Sequence, residues 1–421
     1  MAHVLPGKPS FAARGLLILI GVLLDLADPA FAAQVDGPID HNHCTTRQFQ
    51  HMTFRHDGVW FIFYSDGKDF RYQTSVDDGQ TWQRAKQAVA PAPNGSTSFD
   101  VLKVDDTVYL CCVLYPQGRY DVNAPYAKDP ARRNEYRHEG RIKRGRIEGR
   151  RIQWLEDIDP GFTPDYSNLV QDDAGHLWVF AREQQGGMAH RSLRPHDISQ
   201  WESPSVCIPV AGRHAMDAAA LDDGKLYAAS VLTTDGKLYG NLFAGDAWGN
   251  AAILLADNLT TVAGDDRRLA LEFDPTARRL HLIYVDADNT LRYRSCDSPY
   301  RPGDYQPPLA EPGLELEANV FTSALSVDSR THPYGLVITY GLEKHCGSDQ
   351  RERTGELYAR RFAAGQWQSQ PWLISAPGTI YNWYPNVNQD ARGGLCVLYS
   401  RSLDQRRLGV PLAVMAVVCH P

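Results

Sequence analysis

One phrase recurs along this chain and leaves few folds open. A turn built on Asp and Gly precedes a short apolar strand, and a second turn and a third strand rich in Tyr or Arg follow it. The first copy reads Arg47–Arg55, His56-Asp57-Gly58, Val59–Ser65, Asp69–Ser75 and Thr81–Lys86. Later copies are marked by Asp105-Asp106 before Thr107–Leu114, Asp173-Ala174-Gly175 before His176–Ala181, and Asp222-Asp223-Gly224 before Lys225–Val231. They continue with Asp274–Arg278 before Arg279–Val285, Asp328–Tyr334 before Gly335–Tyr340, and Asp390–Gly394 before Leu395–Tyr399. Four short strands joined by tight turns make one sheet that cannot bury both faces alone, so repetition around an axis is required. The count of seven predicts an all-β, seven-bladed β-propeller of four-stranded antiparallel blades; a six-bladed ring is the alternative count. The blades are placed at roughly 44–90, 96–156, 161–208, 211–256, 260–310, 315–374 and 378–419 within one domain, 33–421. The last repeat, ending on Val410–Cys419, is one strand short. The segment Ala33–Ile39 is free to supply it, which predicts a ring closed by the N-terminus.

Lys8 and Arg14 precede an apolar run, Gly15–Leu24, and Ala30-Phe31-Ala32 follows as a small-x-small site. That pattern predicts a secretory signal peptide over 1–32 and a secreted or periplasmic protein of bacterial type. The run is too short to span a bilayer, and no later stretch approaches ~18 apolar residues. A formal charge of −7 argues against nucleic acid as a partner. The eight cysteines can pair after export, but Cys111 and Cys112 are neighbours that point to opposite faces of a strand and do not pair with each other.

In the first repeat, Ser75-Val76-Asp77-Asp78-Gly79-Gln80-Thr81-Trp82 ends on an indole. Asp77 accepts backbone N–H groups, Gly79 supplies a positive φ, and Trp82 opens the next strand. The residues Ser75, Asp77, Gly79 and Trp82 resemble the Asp-box, or BNR repeat, of sialidase-superfamily β-propellers, where it joins the third and fourth strands of a blade, away from the ligand. Val59–Gly67 with Arg71-Tyr72 strengthen the likeness to secreted propellers of that superfamily. Gly245–Gly249 and Gly365–Gln368 keep the Gly-to-Trp turn without the serine, and Trp154 and Trp201 occupy similar places. Blade packing is the plain reading of these tryptophans.

The resemblance implies three arginines on a substrate carboxylate, a tyrosine nucleophile activated by a glutamate, and an acid/base aspartate. Arg47 stands where the first arginine is expected, in Thr46-Arg47-Gln48-Phe49 rather than aromatic-Arg-Ile-Pro. Arg182 matches a second arginine, and Asp66 or Asp69 the acid/base loop. Tyr381 and Tyr384 are nucleophile candidates if Glu183 reaches them, whereas Asp165-Tyr166-Ser167-Asn168 stands where a glutamate is expected. A lyase reading draws on His51, His214, Tyr166, Tyr381 and Arg267.

The face where the inner strands begin collects Arg47, His51, Asp100, Arg182, Asp217, Arg267 and Arg401, together with Tyr166, Tyr381, Trp383 and Tyr384, a mixture of charges and aromatics that suits sugars. The leading expectation is an exported glycan-recognising propeller with its ligand, acidic glycans included, on that face. Glycoside hydrolase or polysaccharide lyase activity is the alternative, and a protein-interaction scaffold the third. The second repeat carries an insert, Pro116–Glu139, that reads as a rim over the same face, and nine cations face three acids from Arg132 to Arg151. No cofactor is called for. His41-Asn42-His43-Cys44 lacks the spacing of a closed metal site, so none is expected.

Overall fold

The computed structural model describes residues 32–39, 45, 50–91, 98–114, 139–163, 167–183, 186–211, 214–232, 235–259, 269–328, 335–343, 354–375, 382–387, 394–403 and 412–419. They form seven antiparallel sheets. Each is a blade of a β-propeller whose inner strands follow one another around the axis. The first blade shows why the sequence folds this way. Asp57 and Gly58 both take positive φ, 46° and 79°, the backbone of a two-residue turn whose twist matches that of the strands it joins. Thr53–His56 thereby pairs with Val59–Ser65, which pairs with Asp69–Ser75. Every residue of Val59–Ser65 is buried, because neighbouring blades cover both faces of a middle strand.

The fourth strands differ from expectation. Thr81–Lys86 is not one strand; Gln83–Arg84 and Ala90–Pro91 pair separately with the third strand. Blades four, five and six break their outer strands in the same way, with Ala247–Trp248 and Ile253–Ala256 as one example. Short pieces leave little open edge at the rim. Blade two keeps a full outer hairpin, Glu139–Glu148 and Arg151–Ile158, so the arginine-rich stretch is strand there. The insert at 115–138 lies outside the described residues.

The ring closes as expected: Ala33–Ile39 pairs antiparallel with Leu412–Cys419, giving blade seven the order first strand of the chain, then third, second and inner. This strand also reaches blade one. The Tyr64 hydroxyl donates to Asp36 Oδ2 at 2.5 Å, and Gln73 Nε2 donates to the Val35 carbonyl at 3.0 Å. Apolar packing follows the same path, with Leu398, Leu412 and Val414 of blade seven in one cluster with Phe54, Phe61 and Phe63 of blade one and Phe99 of blade two. Each such side chain contributes ~1.5–3 kcal/mol when fully buried.

A second contact recurs between blades. A polar residue near the middle of a third strand donates to a carbonyl on the outer strand of the preceding blade. Besides Gln73, Lys143 Nζ donates to Val89 at 2.6 Å, Asn241 Nδ2 to Cys207 at 2.7 Å, and Arg360 Nη1 to Leu316. These donors satisfy carbonyls that the inter-blade wedge shuts off from water.

Cys112 packs in the cluster of blades seven, one and two, and Cys111 in that of blades two and three, on opposite faces of their strand as expected. Cys111, Cys112, Cys207 and Cys296 are buried free thiols, so the full disulfide pairing that eight cysteines permit is not used. Cys44 lies outside the described residues, as do His41 and His43.

In the Ser75–Trp82 turn, Ser75 Oγ donates to Asp77 Oδ1 at 2.7 Å, and the N–H of Thr81 donates to the same oxygen at 2.9 Å. The Thr81 hydroxyl and N–H and the Ser75 hydroxyl hold the Asp77 carboxyl down to about 2. Gly79, at φ +82°, lies against the last strand: a Cβ there would sit 2.5 Å from Val418 Cγ2. At Gly58, φ +79°, an added Cβ meets nothing within 4 Å. Gly58→Ala is therefore expected to cost only the left-handed backbone, about 1 kcal/mol. Gly79→Ala adds overpacking at the seam, for about 2–3 kcal/mol. Urea unfolding of both variants checks this, and equal losses would contradict the seam contact.

Candidate functional site

Inner strands approach the axis with one edge unpaired, so their N–H groups need acceptors from the next blade. Asp100, on Phe99–Val104, fills this role between blades two and three: its carboxylate accepts the N–H of Val101 at 3.1 Å and that of Leu169 at 2.5 Å. Asp217, on His214–Ala220, repeats the arrangement between blades four and five, taking Ala218 N–H at 2.8 Å and Leu271 N–H at 2.7 Å. Asn386 does so between blades seven and one, accepting the N–H of Met52 at 3.2 Å. Gln50 Nε2 donates to the Ser167 carbonyl of blade three at 2.8 Å. Asp100, Asp217, Asn386, Gln50 and Asn168 are all buried. The result is a polar layer around the axis near the start of the inner strands.

His51 enters this layer from blade one. Its Nδ1 lies 3.2 Å from Asp100 Oδ1, its backbone N–H donates to the same oxygen, and its carbonyl accepts Val101 N–H at 3.0 Å. Burial opposes a charge on the imidazole, but the Asp100 carboxylate, with Glu272 and Asp217 behind it, raises it to about 9. Burial pushes Asp217 up to about 8, partly offset by the N–H of Leu271 and by His51. Glu272 is also pushed up to about 8 by burial, offset by His51 and reinforced by Asp217. The charged form of the His51 imidazole is thus favoured beside Asp100, and His51 cannot serve as a base while it keeps its proton.

The placement of the expected site residues is uneven. His51 and Asp100 come together as described, and Asp100 and Asp217 are each engaged by backbone donors. Arg47, Tyr166, Tyr381 and Arg267 lie outside the described residues. Arg182 and Glu183 end the second strand of blade three, opposite Gly187 and Gly186, while His214 begins the inner strand of blade four and Tyr384 lies on that of blade seven; the side chains of these four are outside the described set. Arg401 lies near the end of the second strand of blade seven, opposite Asn382, on the face where inner strands begin. It is half-buried, and its Nε is shut off from water with no hydrogen-bond partner among the described residues. Asp66, the acid/base candidate, caps its own turn instead: it accepts Lys68 N–H at 3.0 Å, Asp69 N–H at 2.8 Å and Arg71 Nε at 3.0 Å. Glu272 was missed by the sequence reading; its one signal is a carboxylate within the otherwise apolar run Leu269–Phe273.

No family model matches the chain, and no curated protein does. Solved structures do. The BP39L lectin from Burkholderia pseudomallei is similar over 90% of this chain and 96% of that one, at 13% identity and a TM-score of 0.59. A PL25 ulvan lyase, a polysaccharide lyase, is similar over 93% of this chain and 96% of that one, at 12% identity and a TM-score of 0.53. The endosialidase of phage phi92 is similar over 93% of this chain and 69% of that one, at 12% identity and a TM-score of 0.50. At these identities the likeness is one of fold. Among the described residues, no helix is long and apolar enough to cross a membrane.

The clamps can be tested directly. Asp217→Ala orphans the buried N–H of Leu271 and is expected to cost about 2–3 kcal/mol in urea unfolding. Asp217→Asn keeps an acceptor oxygen and is expected to lose less than about 1 kcal/mol. Equal losses would show that the hydrogen bond across the two blades does not hold them.

Proposed function

We propose that the protein is an exported glycan-recognising propeller that takes a carbohydrate, acidic glycans included, on the face where the inner strands begin. The observation that carries this reading is the Arg401 guanidinium, whose shielded Nε has no partner among the described residues on that face. A guanidinium, with its planar set of donors, is the kind of group that suits a hydroxyl pair or a carboxylate of a sugar. Below it, the charged and polar layer around His51 provides a rigid floor. The sequence places Arg47, Arg182 and Arg267 on the same face as further contacts, with Asp100 and Asp217 supporting the floor from beneath. The fold is one that serves a lectin, an endosialidase and an ulvan lyase, the last also solved bound to -[GlcA(1-4)Rha3S]-. That neighbourhood supports carbohydrate as the ligand class.

Recognition is favoured over turnover because His51 is committed to Asp100. Turnover would draw on Asp217 and Glu272, carboxyls that burial pushes up to about 8, toward the range of proton exchange near neutral pH. A hydrolase or lyase would use them with Tyr166, Tyr381, Tyr384, Glu183 or His214.

A panel of neutral and acidic glycans, scored for both binding and product, separates the readings. Binding without product is expected, with Arg401→Ala and Arg182→Ala each weakening it at least tenfold, or ~1.4 kcal/mol. Product formation would favour the enzyme, and no glycan signal a protein-interaction scaffold. Unchanged binding in both variants would remove this face as the site.

A further inference from the structure

The strand that closes the ring begins at the residue that follows the expected cleavage site. Ala33 pairs with Ala416 and Gln34 with Met415, directly after Ala30-Phe31-Ala32 in the sequence. Ala32 packs against the apolar cluster of blades six and seven, as Trp372 does. We propose that ring closure and removal of the N-terminal segment compete for the same stretch of chain, so that cleavage between Ala32 and Ala33 comes first and the closed ring shields that bond from proteolysis. This order rests on the reading of the protein as exported.

The reaction is a hydrolysis. The C–N bond between Ala32 and Ala33 breaks, the oxygen of water completes the new Ala32 carboxyl group, and a hydrogen of that water goes to the new amine of Ala33. A processing protease takes its substrate as an extended, unpaired strand, so a bond at a paired strand is cut only when the strand opens. Several contacts oppose that opening. Asp36 Oδ2 accepts the Tyr64 hydroxyl at 2.5 Å and lies 3.6 Å from Arg84 Nη1, and the Val35 carbonyl accepts Gln73 Nε2 at 3.0 Å. Gly37 runs so close to the last strand that an added Cβ would lie 3.1 Å from the Ala413 Cα. These residues stand immediately downstream of the bond, where a protease has to hold the chain.

The strand on the other side of the pairing also favours early cleavage. Until Ala33–Ile39 arrives, Leu412–Cys419 is an open edge, and its eight residues, Leu-Ala-Val-Met-Ala-Val-Val-Cys, carry no charge. Such an edge pairs readily with another chain. Cleavage releases the segment that covers it.

A refolding race tests the order. The full chain, 1–421, is diluted from urea into detergent micelles, a bacterial signal peptidase is added either at once or after refolding is complete, and mass spectrometry reads the product. Addition at once is expected to cut the bulk of the chain between Ala32 and Ala33, and addition after refolding about tenfold less in the same time. Tyr64→Phe, which takes the hydroxyl from Asp36, is expected to raise the late cut about threefold or more and to leave the early cut unchanged, since Tyr64 is far in sequence from the bond. An equal cut early and late, or a refolded Tyr64→Phe chain as resistant as the parent, would overturn the competition and leave the export reading standing. Absence of an early cut would remove the export reading and the competition with it.

Discussion

Hydrogen bonds that cross from one blade to the next through a single side chain are the constraint on which the ring depends. A blade satisfies its own backbone within the sheet, except along the inner edge and where the outer strand is broken. Both places lie in wedges that water does not freely enter, and an orphaned buried N–H or carbonyl costs ~1–3 kcal/mol. Asp100, Asp217 and Asn386 cover inner N–H groups of the following blade. Gln73, Lys143, Asn241 and Arg360 cover outer carbonyls of the preceding blade. The two sets act at different radii, so together they fix the angle between sheets that apolar packing leaves free to slide.

The seam between blades seven and one shows the same logic under greater demand. Ala33–Ile39 is far in sequence from Leu412–Cys419, so its pairing pays loop-closure entropy that no other blade faces. Extra contacts collect there: Tyr64 with Asp36, Gln73 with Val35, Gly79 against Val418, and the largest aromatic cluster, where Phe54 and Phe61 stack with centroids 5.0 Å apart. The Ser75–Trp82 turn is best understood as part of that seam. Its tight hydrogen bonding presents a flat glycine to the last strand, and a bulkier turn would hold the two apart.

Local chemistry was legible in the sequence because it depends on few residues. Asp57-Gly58 dictates its turn alone, and the recurrence of such turns gave the blade count and the need for an N-terminal closing strand. The broken outer strands were not legible, since some blades break them and others do not without a turn signal that distinguishes the two. The clamps were hidden for a different reason. A donor to a carbonyl can be Gln, Lys, Asn or Arg with equal success, so the position repeats while the residue does not. The same ambiguity affected the site. Asp100 and Asp217 sit at the mouths of inner strands, where a ligand contact and a backbone acceptor look alike from sequence, and Glu272 was concealed by its apolar neighbours.

These assignments restrict where ligand chemistry can arise. A carboxyl group that accepts two backbone N–H groups, as that of Asp217 does, cannot swing toward a ligand without releasing Leu271. His51 is held by Asp100 through both its ring and its backbone N–H. Turning either toward a sugar would trade ring integrity for one contact, an exchange in which the fold loses a buried hydrogen bond and the ligand gains a partly solvated one. Side chains on the rim carry no such obligation. Arg401 is the described example, its guanidinium anchored by a strand that is already paired on both sides and its Nε free of competing partners among the described residues. On the proposed reading, the axial layer is left to hold the ring together, and contact with a ligand falls to side chains without that obligation, Arg401 among them.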